Sequence, residues 1–213
     1  ADIVQDLLTL TRRGASAEDV VSLNTLAEEY FNCVSYQRLA AGSPDIQFRT
    51  RLDPDLLNLK ASAAHITKII MNLVINAAEA VGEIGRVEVE TFNRYVDVPL
   101  SGYDTIQEGD YVVLRVSDTG TGIPEGMMDQ IFEPFFTQKA MGRSGSGLGL
   151  SVVWNSVKDH NGYVEVKNRK QGGTVFEIYL PATREKAEQE SDDFDITRFR
   201  GRNESILIID DIQ

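Results

Sequence analysis

The sequence predicts an α+β protein with one main domain, and three observations carry this prediction. Residues 63–81 repeat apolar side chains every three to four positions, as one face of a long helix does. Several shorter segments, among them residues 86–92, alternate apolar and polar residues as half-buried strands do. The chain has 213 residues, 42% of them hydrophobic, which suffices for one core of ordinary domain size.

The formal net charge of -12 restricts the possible partners. Repulsion from phosphates opposes contact with nucleic acid or an anionic membrane, so we expect neither, and local groups must hold any phosphate ligand. Cys33 is the only cysteine, which excludes an intramolecular disulfide and fits a reducing cytoplasm. No apolar run approaches the roughly 18 residues of a membrane span. We therefore expect a cytoplasmic fragment, whether or not its parent protein is membrane-anchored.

The N-terminal part of the chain contains two helical segments and one strand. Residues 1–14 carry one apolar stripe and are predicted to be the end of a longer helix, because so short a helix is marginal alone. Residues 20–31 are also predicted to be helical. Residues 46–52 alternate like a strand, which Pro54 then breaks.

The strongest predicted helix, residues 63–81, is followed by glycines that we expect to close it, Gly82 and Gly85. Residues 86–92 then read as a strand, and residues 97–110 as an exposed loop.

The next predicted strand, residues 111–118, ends in an aspartate. Because alternate residues of a strand share a face, Asp118 should point to the same side as Val116 and its other apolar neighbours. An aspartate that faces a core needs a partner. Residues 152–157 are predicted to be helical, and His160 is expected to end that helix.

The C-terminal part contains two strands, residues 163–167 and 174–180, separated by the turn signal "NRKQGG". Pro181 is expected to end the sheet. Residues 182–204 are rich in charge and poor in core residues, as linkers are. Residues 205–213 read as a new strand that cannot complete a domain.

Residues 142–151, "GRSGSGLGLS", place four glycines before the helical segment. Free backbone N–H groups at the start of a helix can approach an anion closely, although a flexible loop and helix cap explain the glycines equally well. A Walker loop requires Lys after its last glycine, but Leu148 follows Gly147 and Leu150 follows Gly149. A dinucleotide-binding fingerprint requires a preceding strand, which the sequence does not provide.

Three other clusters must be considered with these glycines. In "DTGTGI", Asp118 is followed by Gly120 and Gly122, which permit a tight turn and close approach of a ligand. The second cluster is "FEPFF", residues 132–136.

The third cluster lies on the long predicted helix. At about 100° per residue, four polar residues fall within an arc of about 60° beside the apolar stripe. They are His65, Asn72, Asn76 and Glu79. Two asparagines one turn apart on so apolar a helix are costly to bury without partners.

Together the clusters resemble the catalytic, ATP-binding domain of bacterial sensor histidine kinases, in the superfamily that also contains gyrase, chaperone and mismatch-repair ATPases. The resemblance covers about residues 23–181, and we assign residues 20–181 to this domain. It implies a two-layer α/β sandwich of the Bergerat type, with a mixed sheet covered on one face by helices that enclose ATP. The matching motifs, in family order, are the N box "NLVINAAEA", the first glycine box "DTGTGI", the F box "FEPFF" and the second glycine box "GSGLGLS".

The resemblance implies roles for individual residues. Asp118 matches the residue that accepts a hydrogen bond from the adenine amino group, and Thr174 matches a threonine near adenine. Asn76 matches the residue that supplies an amide oxygen to magnesium, and Asn72 supports the same catalytic region. Glu79 stands where some relatives carry a basic residue, so the resemblance does not assign it a direct contact with the nucleotide.

The resemblance further implies phosphate contacts and a mobile lid. Lys139 and Arg143 lie in the lid, residues 137–144, and would supply positive charge, although a solvated pair of charges is an equal alternative. The other nucleotide-binding residues that it implies are Gly120, Gly122, Gly145, Gly147, Leu148, Gly149 and Leu150.

A histidine kinase also needs an acceptor imidazole on a dimeric helical hairpin. Neither His65 nor His160 fits, so we expect the acceptor upstream of Ala1, in a parent protein that forms a homodimer while this fragment is a monomer. Residues 1–14 resemble the end of the hairpin. Residues 205–213 resemble the first strand of a receiver domain, with Asp210 and Asp211 as its acidic pair, which suggests a hybrid kinase. The expected partners are thus the acceptor hairpin and a receiver domain or response regulator.

Three alternatives remain at this stage. A gyrase-like ATPase would carry a glutamate where Asn72 stands, and an amide is a poor base. An ATP-binding regulatory module without kinase activity would need the motifs only for binding. A serine-directed kinase of the anti-sigma type shares the fold but not the flanking sequences.

Overall fold

A mixed sheet forms the framework of the fold. The computed structural model describes residues 19–97, 100–101, 105–137 and 147–187. In these ranges seven strands follow the order β1-β3-β9-β7-β4-β2, with β8 also paired to β9, and β5 and β6 form a separate pair. Among the described strands, only β2 and β4 are parallel neighbours. The strands are β1 Asp19–Val21, β2 Ile46–Arg51, β3 Asn58–Ala61, β4 Gly85–Val96, β5 Leu100–Ser101, β6 Thr105–Ile106, β7 Gly109–Asp118, β8 Tyr163–Asn168 and β9 Thr174–Thr183.

Local sequence signals set the ends of the helices in the described ranges. Ser22 and Ser62 precede two of them and accept hydrogen bonds from backbone N–H groups of the first turn. Gly82, with a φ of +79°, ends the longest helix. None of these helices is long and apolar enough to cross a membrane. The helices are α1 Leu23–Asn32, α2 Val34–Gly42, α3 Ala63–Val81 and α4 Gly149–Asp159.

The helices cover one face of the sheet. Val112, Leu114 and Val116 of β7 belong to the core that the sheet shares with α1, α3 and α4. The alternate residues Tyr111 and Val113 belong to a smaller cluster formed by the other face. This arrangement confirms the predicted α+β class and its layer of helices over a mixed sheet. Asp118 continues the parity of the core-facing residues and is buried, as predicted.

Several predicted boundaries were wrong. Val20 and Val21 lie in β1, not at the start of a helix, because they pair with β3. Gly85 begins β4 and does not cap α3. Residues 97–110 contain β5, β6 and the start of β7 as well as loop. Pro181 does not end the sheet: β9 continues to Thr183.

The proline falls where β9 changes neighbours. Tyr179 is the last residue of β9 that pairs with β8, and pairing with β3 begins at Ala182. A residue without an N–H group is tolerated here because neither β8 nor β3 pairs with Pro181 on that side of β9, although Tyr111 of β7 lies opposite it on the other side. The predictions for residues 1–14 and 205–213 lie outside the described residues, as does most of the predicted linker.

Candidate nucleotide-binding site

A cavity of about 680 Å³ lies between α3 and the segment that follows β7. Its walls come from one face of α3, the end of β7, residues 121–124, the chain on both sides of residues 138–146, and the start of β9. The fold therefore brings residues from all four sequence clusters to one cavity.

Helix α3 presents two amides to this cavity. Asn72 and Asn76 are four residues apart and so lie on one helix face. The Nδ2 atom of each is buried and has no hydrogen-bond partner among the described residues. A buried polar group left in this state costs about 1 to 3 kcal/mol. The pair therefore indicates a polar ligand that forms hydrogen bonds with both amides.

The start of α4 faces the same two amides. A Cβ added to Gly149 would lie 3.5 Å from Oδ1 of Asn72 and 3.7 Å from Nδ2 of Asn76. Leu148 precedes the helix and makes no side-chain capping hydrogen bond. No capping side chain therefore occupies the first N–H groups of α4, and with the positive end of the helix dipole they suit a phosphate.

Asp118 provides a fixed carboxylate at the other end of the cavity. It is 2% exposed, and its Oδ1 accepts a hydrogen bond of 2.7 Å from the N–H of Gly120. The N–H of Thr174 also donates to the carboxylate. Burial raises the pKa of Asp118 above its ordinary value, while both N–H groups and the Arg169 guanidinium oppose this rise. Such a carboxylate can accept a hydrogen bond from an amino group of a ligand.

Two glycines allow the close backbone contacts that shape the cavity. A Cβ at Gly120 would overlap the carbonyl of Ala80, so only glycine lets this loop pack on the end of α3. Gly147 has a φ of +67°, and a Cβ there would lie 2.6 Å from the carbonyl carbon of Phe135. The N–H of Phe135 donates to the Gly147 carbonyl oxygen, at 3.0 Å. The two ends of the expected lid are thus held together.

The structure brings most of the predicted residues to the cavity. The predicted residues that line the cavity are Asn72, Asn76, Asp118, Gly122, Gly147, Gly149, Leu150 and Thr174. Gly120 packs against α3, and the side chain of Leu148 is buried, so only its backbone is available to a ligand. Lys139, Arg143 and Gly145 lie outside the described residues.

Glu79 also lines the cavity, on the helix arc that the sequence predicts for it together with Asn72 and Asn76. Sequence reasoning missed two other residues near the site. Asn168 and Arg169 bind the backbone that forms the cavity, and the sequence indicated only that they belong to a turn. No local signal identifies these two residues.

The charges of the cavity suit a metal-bound nucleotide. The described lining contains Glu79 and Asp118 but no Lys, Arg or His. The described residues also contain no group of three His, Cys, Asp or Glu side chains that could hold a metal by themselves. Magnesium commonly takes few protein oxygens and completes its shell with phosphate and water. The asparagine amides fit a cation that arrives with phosphate.

This fold and cavity define the class of ATP-binding catalytic domains. The chain matches the family "Histidine kinase-, DNA gyrase B-, and HSP90-like ATPase" over residues 61–184. It belongs to that family and is, within it, a catalytic domain of the sensor histidine kinase type.

Individual relatives agree with this assignment. The chain is 35% identical to the sensor kinase CckA of Brucella abortus (strain 2308) over 182 residues, which cover 85% of the chain and 19% of that relative. The solved catalytic domain of histidine kinase ThkA has a TM-score of 0.62 and 30% identity, and the match covers 78% of the chain and 97% of that domain. A structure of ThkA in complex with the response regulator TrrA has a TM-score of 0.62 and 26% identity, over 87% of the chain and 48% of that kinase. The chain thus spans only a fraction of the full-length relatives.

Proposed function

We propose that the cavity binds ATP together with magnesium and positions the γ-phosphate for transfer to a histidine of a dimerisation hairpin. The observation that carries this proposal is the pair of amides, Asn72 and Asn76, that face the start of α4 and whose buried Nδ2 atoms have no partner among the described residues. A phosphate chain with its cation supplies both the acceptors and the positive charge that this end of the cavity needs.

Each end of the cavity has its own role. Asp118 accepts a hydrogen bond from the adenine amino group, and Thr174 lies beside the base. Asn76 provides an amide oxygen to magnesium, and Asn72 holds the neighbouring phosphate region. An amide can present either its oxygen or its nitrogen after rotation about χ2, so both asparagines can serve these roles. Bound magnesium neutralises part of the phosphate charge.

The remaining predicted contacts belong to the lid and the glycine segment. Lys139 and Arg143 would approach the phosphates from the lid, and Gly145 would offer its N–H group. Gly147, Gly149 and the backbone of Leu148 and Leu150 extend this set at the start of α4.

The acceptor is not one of the two histidines of this chain. His160 is buried, its Nε2 accepts a hydrogen bond of 3.0 Å from the N–H of Ser62, and its Nδ1 lies 2.6 Å from the Ser156 carbonyl oxygen. His65 packs edge-on against His160. It precedes Asn76 by 11 residues of α3, or about 16 Å along the helix. Both imidazoles are therefore remote from the proposed phosphates.

The proposed partners follow from this role. The first is the acceptor hairpin of the same protein, whose homodimer would bring two catalytic domains to two hairpins. The second is a receiver domain or response regulator that takes the phosphate from histidine; the complex of ThkA with TrrA supports this partner.

Labelled ATP tests the proposal. The 213-residue chain should acquire no acid-labile phosphate, whereas a form extended at its N-terminus through the acceptor hairpin should acquire it and should dimerise. The extended form carrying Asn76→Ala is the matched control and should remain largely unlabelled. Stoichiometric acid-labile label on His65 or His160 of the 213-residue chain would contradict the proposal.

A further inference from the structure

The turn region at residues 168–173, which begins with the last residue of β8 and leads into β9, lies outside the cavity and yet contacts the backbone that forms it. The side chains at the tip of the turn are exposed. The turn is closed on itself by hydrogen bonds from the N–H of Arg169 to the Gly173 carbonyl oxygen, at 2.9 Å, and from the N–H of Gly172 to the Arg169 carbonyl oxygen, at 3.2 Å. It is therefore a defined structure that can hold a neighbouring segment in place.

Asn168 makes two hydrogen bonds to one residue of the loop after β7. Its Oδ1 accepts from the N–H of Ile123 at 2.8 Å, and its Nδ2 donates to the carbonyl oxygen of the same residue at 2.7 Å. A single amide thus replaces the pairing that a neighbouring strand would supply. The contact reaches the cavity wall directly, because Gly122 and Ile123 line it.

The next residue of the turn holds the end of β7. Nη1 of Arg169 donates to the carbonyl oxygen of Asp118 at 2.9 Å. Gly173 packs against the same carbonyl so closely that a Cβ would overlap the oxygen. The turn then continues into Thr174, whose N–H donates to the Asp118 carboxylate. The backbone and the carboxylate of Asp118 are therefore both tied to this turn.

We propose that Asn168 and Arg169 are positioning residues that make the site selective for adenine. They touch neither the base nor the phosphates. They fix Asp118 relative to the loop at Gly122, so that the carboxylate meets an amino group and rejects a base that presents a carbonyl oxygen instead. This inference rests on the proposed function, because it assumes that adenine lies against Asp118.

The physical basis of the selectivity is geometric. A site built to accept a hydrogen bond rejects an analogue that lacks the donor, because a buried acceptor is then left unpaired. That rejection requires the acceptor to stay in place. Without the amide of Asn168, the loop at Gly122 and Ile123 can move together with a bound base. The loss of affinity for a base that presents a carbonyl oxygen is then smaller.

The test compares the dissociation constants of ADP and IDP, measured by calorimetry on the 213-residue chain. IDP presents a carbonyl oxygen where ADP presents its amino group. The wild-type chain should prefer ADP by roughly 10- to 100-fold, as expected for one hydrogen bond to a charged acceptor. Asn168→Ala should reduce this preference to about threefold or less, chiefly by weakening ADP binding. Lys170→Ala, an exposed change in the same turn, should keep the wild-type ratio.

The base ratio separates a positioning role from a general loss of stability, which would weaken ADP and IDP equally. Asn168→Asp provides a second variant of the same size that keeps the acceptor for the Ile123 N–H but loses the donor, and it should give an intermediate ratio. A wild-type ratio in both folded variants overturns the inference while leaving the proposed function intact. A wild-type chain that does not bind ADP, or binds ADP and IDP equally, overturns both.

Discussion

The two ends of the cavity differ in how completely the protein satisfies its own polar groups. At the base end, where we propose that adenine binds, the Asp118 carboxylate accepts hydrogen bonds from two backbone N–H groups. The backbone carbonyl oxygen of Asp118 accepts one from Arg169. At the phosphate end, the amide nitrogens of Asn72 and Asn76 are buried without partners among the described residues. The proposed base end is thus preorganised, whereas we propose that bound ligand supplies the missing hydrogen-bond partners at the phosphate end.

This difference predicts which contacts with the nucleotide depend on the metal and on the lid. Binding at a preorganised carboxylate needs no further component, so recognition of the base should be independent of magnesium. Binding at the unpaired amides requires phosphate and a cation. Variants at the two ends should therefore lose affinity in distinguishable ways.

The largest expected effect is at the base end. Asp118→Asn should weaken ADP binding by about 100-fold, because it replaces the charged acceptor of the proposed hydrogen bond with a neutral amide that also carries a donor. The loss should be the same with and without magnesium. Calorimetry with Asp129→Asn, an exposed change, as the control measures this. A loss confined to magnesium-containing buffer would mean that the two ends are not separable.

A change where the two ends of the lid meet should cost stability. Gly147→Ala should destabilise the fold by about 2 kcal/mol more than Gly126→Ala, because overpacking typically costs about 1 to 3 kcal/mol. Both glycines have positive φ, at +67° and +84°, but only Gly147 has the Phe135 backbone within reach of a Cβ, and Gly126 has open space. Urea unfolding of the two variants isolates this contact. Equal midpoints would show that the lid ends are not packed together.

The pH dependence of ADP binding should report Asp118. Its pKa is raised by burial, and ADP binding needs the ionised form, so affinity should fall as the pH drops through that raised pKa, by about tenfold per unit below it. The pKa of Asp118 in the folded state lies above its unfolded value, so ionised Asp118 lowers the free energy of unfolding at neutral pH. Asp118→Asn should therefore not reduce the stability of the fold at this pH. Among the described residues, the charged groups at this site are Arg169, which interacts with Asp118, and Glu79, which lines the cavity.

Calorimetry from neutral to acidic pH checks this dependence. Asp118→Asn provides the control, because its weaker binding should vary little over the same range. A wild-type profile as flat as that of the variant would remove the carboxylate from recognition of the base.

Local sequence signals predicted the position of the two asparagines well. The bounds of α3 agree with the predicted residues 63–81, because its apolar stripe, the Ser62 cap and Gly82 are all local features. The spacing of Asn72 and Asn76 then places both amides on one face. Strand parity likewise predicted the burial of Asp118.

The features that the sequence did not reveal depend on distant contacts. Strand β1 exists because Asp19 pairs with Ala61 across the sheet. Asn168 forms its hydrogen bonds with Ile123, which lies 45 residues away in the sequence. Neither contact leaves a periodic or composition signal in its own segment. The supports of the base end were therefore invisible to sequence reasoning, although Asp118 itself was not.

We expect metal and nucleotide together to supply the missing partners at the phosphate end, and Asn76→Ala examines this expectation without disturbing the base end. Calorimetry should measure ADP binding to the wild-type chain and to this variant, with and without magnesium. We expect magnesium to strengthen wild-type binding and the variant to lose about five- to tenfold in its presence, as for one polar interaction. Without magnesium the two proteins should bind ADP with similar affinity. Equal losses under both conditions would contradict the account, because Asn76 would then act on the nucleotide without the metal.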